Sequence, residues 1–344
     1  MKAAVTDGKG KVWIQDDIPV PEPNEYECLA KIAACSACTG TDIKHIHDKL
    51  PWAQKYPGLL GHESIGQVIK VGSKVTAFKE GDWVLRPTPV FPGTTLAGYS
   101  SMWGGFSEYG LVADSAAILA DDPEAKPNGF VKFQLPVPEL EGVTPADWTM
   151  IITLKETASY AASCGVKLNL PTVVLGAGSV GMCMMRFAKT LGATPLIAVA
   201  RRDEQLEYAQ KVTGADAVIN ITKTDLTTAV KELTGGAGAE LILDTTGSLE
   251  FMESCVPALS ETGKIAGYAT YARGDNTANH IPAEKLVTGR TGEDICHDYM
   301  LAAVRMGLVN LKDFYDYTMP LDDIAKGFEL MESKKAFKIV FEMD

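Results

Sequence analysis

The sequence predicts an α/β protein in which a doubly wound parallel sheet is inserted into a β-rich domain. Three observations carry that expectation. From about Thr157 onward, helical stretches alternate with short apolar runs, and such alternation means a parallel sheet covered on both faces. Before that point the chain reads as short strands broken by Gly and Pro. The tail then returns to a helix, YMLAAVRMG, and a closing strand, FKIVFE, which can rejoin the first part. The expected division is 1–155 plus 297–344 for the β-rich catalytic domain and 156–296 for the parallel-sheet domain.

Taken in order, the first strands are ECLAKIAA (27–34), SIGQVIKVG (64–72) and GDWVLRP (81–87), with turn clusters such as PEPNEY between them. Pro87 to Gly105 is a long loop rich in Gly, Pro and aromatics, and loops of that length are usually functional or disordered. The apolar runs of the second part are PTVVLG (171–176), PLIAVA (195–200), DAVIN (216–220), ELILDTTG (240–247) and KIAGYA (264–269). Between the first two, Val180, Met184, Phe187, Ala188 and Leu191 share one helical face, and Gly192 is placed to end that helix.

Composition bounds the function. The 344 residues suffice for two cores, and 46% hydrophobic with 22% charged residues is ordinary for a globular protein. No apolar run is long enough to span a bilayer, and MKAAVTDGKGKVWIQDD lacks the apolar core of a signal peptide, so the expected address is the cytoplasm. Thirty-two basic against 44 acidic side chains leave a net charge of −12, which argues against nucleic acid or an anionic membrane as partner. The seven cysteines are scattered, with only Cys35 and Cys38 close together, so they do not form a disulfide framework.

The segment Leu175-Gly176-Ala177-Gly178-Ser179-Val180-Gly181 is a G-x-G-x-x-G that follows an apolar strand and opens a helix, the context a Rossmann dinucleotide site requires. Gly176 makes the tight turn, Gly178 lets the backbone approach the pyrophosphate, and Gly181 lets helix and strand pack closely. The helix N-terminus at Ser179 and Val180 then faces the phosphates. A site for NAD carries an acid about 20 residues beyond the glycines, bonded to the ribose 2′-hydroxyl. Here that strand ends Val199-Ala200-Arg201-Arg202, with no acid until Asp203. Two guanidiniums in place of a carboxylate suit a 2′-phosphate, so NADP is expected over NAD.

Ala34-Cys35-Ser36-Ala37-Cys38-Thr39-Gly40-Thr41-Asp42 is followed by Gly61-His62-Glu63-Ser64-Ile65-Gly66. Cysteine, histidine and glutamate supply thiolate, imidazole and carboxylate, a sensible zinc set with a fourth position open. With GDWV, GGFSEY (104–109) and GAGSVG in the same order, essentially the whole chain resembles the zinc-dependent medium-chain dehydrogenase/reductase superfamily. The pattern is nearest to its polyol, sugar and secondary-alcohol branch.

The resemblance implies a GroES-like catalytic domain around the Rossmann sheet, with Cys38 and His62 as zinc ligands. Glu63 is then a ligand or a neighbour that exchanges with water, and Cys35 is non-ligating. Thr41 corresponds to the hydroxyl that relays a proton, with His45 as the next shuttle. Lys338 corresponds to a pyrophosphate contact. Relatives pair the sixth strand of the nucleotide sheet, here near 285–290, across a two-fold axis, which implies a homodimer or homotetramer. Three departures matter. Thr39 and Gly40 both intervene before Thr41, so Thr39 is a second candidate relay. The position of a further ligand falls near Thr153, a poor ligand, leaving either water or Glu156 to complete the shell. Residues 80–120 contain no cysteine, so the four-cysteine lobe of a structural zinc is missing and one zinc per chain is expected.

The chemistry implied is hydride transfer between a small-molecule alcohol or carbonyl compound and NADP(H), with zinc as Lewis acid. Phe91, Tyr99 and Trp103 of the long loop are expected to wall the pocket, with Trp103 either stacking on a sugar ring or packing as core. Metal-free quinone or enone reductases of the same superfamily lack the G-H-E and the cysteine pair. A non-catalytic nucleotide-binding protein on this fold would tolerate their loss, yet both are present.

Overall fold

The computed structural model describes residues 1–271 and 273–343. The chain divides into two compact units, Met1–Ile152 with His297–Asp344 and Thr153–Cys296.

The first unit is organised around the ten-residue strand Glu27–Ser36. Its Cys28, Ala30, Ile32 and Ala34 are buried at the period of two that a strand dictates. Antiparallel partners flank it: Glu63–Val71, Tyr109–Ala113 and the closing strand Ile339–Glu342. Register decides what meets at its end, since Ser36 lies opposite both Glu63 and Val340. One strand end and two strand starts therefore deliver Cys38, His62–Glu63 and Lys338 to one place. Beneath them Phe106 packs edge-on against Phe341 and Phe328, with ring centroids 5.5 and 6.0 Å away.

A smaller sheet runs Val12–Gln15, Ala3–Thr6, Gly58–Leu59, Tyr99–Ser101, Thr95–Leu96 in spatial order. The sequence reads 87–105 as one loop, whereas the structure folds a hairpin inside it, with Thr95 opposite Ser100 and Leu96 opposite Tyr99. Its two turn residues both have positive φ, Ala97 at +49° and Gly98 at +87°, the pair of angles a tight primed turn demands. Ala-Gly lacks the Asn-Gly signature of such turns, which is why the hairpin is silent in the sequence.

The second unit is a parallel sheet in the order Ala217–Asn220, Leu196–Ala200, Thr172–Leu175, Ala239–Asp244, Leu259–Gly267. The helix Ser179–Thr190 crosses between the first two strands of the chain order and ends at Gly192, whose φ is +95°. Its burial is wider than the single face expected. Met184, Phe187 and Ala188 are buried as expected, but so are Met182, Cys183 and Met185, while Val180 and Leu191 are only half-buried. A helix lying on a parallel sheet is covered from more than one side. The sixth strand expected near 285–290 reduces to one parallel bridge, Ile265 to Leu286, held by Ile265 N–H to Lys285 O at 2.8 Å and Val287 N–H to Ile265 O at 3.0 Å. No described helix is long and apolar enough to cross a membrane.

Candidate metal centre and nucleotide site

Cys38, His62 and Glu63 each place one ligand atom within 4.8 Å of the others. A short helix, Asp42–Ile46, follows Cys38 and fixes its approach: Asp42 N–H donates to Cys38 O at 2.9 Å, and Cys38 N–H donates back to the Asp42 carboxylate at 2.8 Å. The other Asp42 oxygen lies 3.1 Å from His62 Nδ1. That bond orients the ring and leaves Nε2 for a metal, the arrangement in which a carboxylate behind an imidazole raises its basicity. Burial opposes charge on His62, but Asp42 and Cys38 outweigh it and push the imidazole well above its ordinary range. Asp42 is fully buried, and the sequence reading gave it no role of its own. Asp42→Asn is expected to cut zinc affinity or turnover by about 10–100-fold, as loss of such supporting carboxylates does. Zinc titration of the stripped variant against a chelating dye checks this.

Glu63 uses its two oxygens differently. Oε1 lies 3.8 Å from His62 Nε2, on the side of the cluster, while Oε2 accepts from the Ser36 hydroxyl and the Lys338 ammonium. Burial would raise its pKa, yet Lys338, His62 and Ser36 prevail and hold the carboxyl at about 2. Glu63 is thus anionic, with Oε1 on the side of Cys38 and His62. The resemblance gives Lys338 to the cofactor pyrophosphate; the structure instead buries it at 2% exposure on Glu63. The cause is register, because the closing strand and Glu63–Val71 flank the end of Glu27–Ser36 on either side, with residue 338 just before the one and Glu63 opening the other. Cys35 is also buried, and desolvation lifts its thiol well above the ordinary range, so it stays protonated.

The other sequence candidates fall around this cluster. Thr41 is half-buried at the start of the short helix, and its carbonyl accepts from His45 N–H at 2.9 Å, whereas Thr39 is exposed. His45 is 1% exposed and neither ring nitrogen has a hydrogen-bond partner. Burial depresses it to about 4, so it is neutral. His47 points elsewhere and meets Glu332 at 2.6 Å on the surface. Trp103 touches both inner histidines, with ring centroids 5.6 Å from His45 and 5.0 Å from His62. Its backbone sits at φ +65°, a left-handed conformation that costs a bulky residue about 1–3 kcal/mol. The Thr88 hydroxyl on its carbonyl and Ser101 Oγ, 3.2 Å from its N–H, hold it there.

Trp103 and His45 line a cavity of about 390 Å³ with Trp52, Gln54, Thr94 and Ser101. Of the other aromatics expected to wall a pocket, Tyr99 packs instead against the core of Ala3, Val5, Ile18, Leu59 and Val90. Trp52 takes a place at the cavity that the sequence reading overlooked.

In the second unit the glycine turn answers its steric demands. A Cβ on Gly181 would lie 1.9 Å from Gly176 O, and one on Gly176, at φ +98°, would meet Thr245 Oγ1 at 2.7 Å. A Cβ on Gly178 would meet nothing within 4 Å, so open space lies before the helix N-terminus, where a phosphate needs it. Gly178 caps that helix without a side-chain bond, and the N–H groups of a helix's first turn have no partner within the helix. At the next strand end Ala200 is buried, and Arg201 and Arg202 are exposed. Gln205 ties Arg202 to the turn: it accepts from the guanidinium at 3.0 Å and donates to Ala177 O at 2.8 Å. Asp203, the first acid, is occupied by Asn220 Nδ2 at 2.6 Å and by the Lys223 ammonium.

Residues 24–122 match the alcohol dehydrogenase GroES-like domain, and residues 179–293 match the zinc-binding dehydrogenase domain. The chain belongs to the zinc-dependent medium-chain dehydrogenase superfamily. It is similar, at 28% identity over 99% of this chain and 98% of the other, to an L-threonine 3-dehydrogenase of Bacillus velezensis. In fold this dehydrogenase resembles the benzyl alcohol dehydrogenase of Acinetobacter calcoaceticus, with TM-score 0.80 and 22% identity, covering 100% and 99% of the two chains. The 2R,3R-butanediol dehydrogenase of Bacillus subtilis gives TM-score 0.78 and 21% identity, again covering 100% and 99%.

Among the described residues, the one group of His, Cys, Asp or Glu side chains that could hold a metal ion in this dehydrogenase is Cys38, His62 and Glu63, with no fourth such residue in it. Thr153 is buried, and the Glu156 carboxylate accepts from the Tyr268 hydroxyl at 3.0 Å. The donor set fits zinc, with thiolate, imidazole and carboxylate at a spacing one ion can bridge.

Proposed function

We propose that this enzyme transfers hydride between NADP(H) and a secondary alcohol, polyol or sugar and the corresponding carbonyl compound. The observation that carries the reading is the convergence of Cys38, His62 and Glu63 within 4.8 Å. Zinc bound there supplies a Lewis acid that polarises the substrate oxygen. Cys38, His62 and the Oε1 side of Glu63 hold it, Asp42 fixes the imidazole, and Lys338 with Ser36 holds the far carboxylate oxygen. Thr41 or Thr39 takes the proton from the reacting hydroxyl, and His45 serves as the next shuttle. Gly176, Gly178 and Gly181 leave room for the pyrophosphate, while Arg201 and Arg202 favour a 2′-phosphate where Ala200 offers no competing carboxylate. One zinc per chain follows from the absence of cysteine in residues 80–120.

We further place the enzyme as a homodimer or homotetramer, on the open sheet edge beyond the Ile265–Leu286 bridge; sedimentation at micromolar concentration reads this directly. The reading is tested by a panel of polyols, sugars and secondary alcohols assayed with NADP and with NAD. Turnover of at least one alcohol class, lost on zinc removal and restored by zinc, is the expected outcome. No turnover across the panel by zinc-replete protein contradicts it.

A further inference from the structure

The helix His297–Arg305 buries His297, Met300 and Ala303 and leaves its opposite side bare. Asp298, Tyr299, Ala302 and Arg305 are exposed there. So is Met306, whose N–H donates to Ala302 O at 2.9 Å and continues the helical path by one residue. At about 100° per residue, these five positions fall within an arc of about 120°. Tyr299 is 47% exposed and Met306 73%, where a helix that faces only water carries polar residues. The order along the arc is symmetrical. Asp298 and Arg305 stand on one edge, and Tyr299 and Met306 on the other, each pair just under two turns apart. Ala302 lies midway. Neither Asp298 nor Arg305 makes an ion pair with a described residue.

We propose that this face packs on the same face of a second copy of the chain, antiparallel about a two-fold axis beside Ala302. A two-fold axis keeps each edge on its own side. It therefore sets Arg305 of one copy opposite Asp298 of the other, and Met306 opposite Tyr299, with each contact made twice. The small Ala302 lets the two backbones approach at the crossing point. Sulfur beside an aromatic ring is a favourable contact, and the paired opposite charges fix the register. A helix of nine residues is about 14 Å long and about 10 Å across, well short of the roughly 800 Å² per partner of a standard interface. The contact therefore joins copies that are already paired elsewhere. In that respect it rests on the sheet-edge pairing proposed above, since two different two-fold surfaces on one chain close a tetramer.

Charge exchange followed by sedimentation tests the face on the full chain. The unmodified protein is expected to be a tetramer at micromolar concentration. Asp298→Arg or Arg305→Asp alone sets like charges against each other in both contacts and should weaken assembly at least tenfold, leaving dimers. The double exchange restores opposite charges and should restore the tetramer. Each reversal also opposes the helix dipole, so the double variant should melt lowest of the three. Assembly lost through misfolding would be worst in that variant, whereas assembly through this face recovers there. Ala302→Cys should also be joined in pairs by a short bismaleimide, with the unmodified protein as control for the native thiols. A tetramer indifferent to both single reversals overturns the helix face and keeps the sheet edge. A dimer that either reversal turns into monomer keeps the helix face and removes the sheet edge. An unmodified monomer, or a double exchange that assembles no better than the single ones, overturns the helix face.

Discussion

Replacing His62 with Ala is expected to bring turnover to background and zinc content close to zero. One of the three proposed protein ligands is lost, and the Asp42 carboxylate behind it loses the group it orients. Removing one partner of a buried ionic pair costs about 3–5 kcal/mol, so this variant will also be less stable. His62→Asn separates the two effects. Its amide N–H can occupy nearly the place of Nδ1 and keep the Asp42 bond, while nothing replaces Nε2 at the cluster. Both variants should therefore lose metal and activity, with the Asn variant melting closer to the unmodified protein. Because the glycine turn belongs to the other unit, NADPH fluorescence should report cofactor binding largely intact in both. Appreciable turnover in a zinc-free, folded His62→Asn protein is the result that removes His62 from the site.

The second large effect concerns the cofactor. Each charge-assisted contact from Arg201 or Arg202 to a 2′-phosphate contributes about 1.5–3 kcal/mol, so the pair should favour NADP over NAD by roughly a hundredfold or more in kcat/KM. The local geometry supports this assignment. Gln205 braces Arg202 against the turn, and Asp203 is engaged by Asn220 and Lys223. Arg201→Ala or Arg202→Ala should raise KM for NADP and leave KM for NAD nearly unchanged. Ala200→Asp should move preference towards NAD by adding a ribose acceptor that repels phosphate. An unmodified enzyme that favours NAD makes both arginines solvated bystanders.

What was legible in the sequence is what local sterics or donor chemistry forces. The glycine turn is readable because Gly176 sits at φ +98° and a Cβ on Gly181 would lie 1.9 Å from Gly176 O, demands made within one strand–turn–helix. Cys38, His62 and Glu63 are readable because their chemistry is rare in combination. Groups whose role depends on long-range register were not. Lys338 pairs with Glu63 across 275 positions, set by the closing strand, and sequence alone gives no reason to join them. Asp42 is four residues from Cys38 yet works on His62, so its neighbour in sequence conceals its second partner. Trp52 and the Ala97–Gly98 hairpin sit in segments that read as plain loop. The positive φ of Trp103 leaves no mark on residue type, since nothing in an indole announces a left-handed backbone.

The most direct test of the account is the zinc content of freshly purified protein, measured alongside its NADP-linked alcohol oxidation. The account predicts about one zinc per chain, with activity falling in proportion as the metal is chelated and returning when it is restored. A value near two per chain, or near zero with full activity retained, contradicts it.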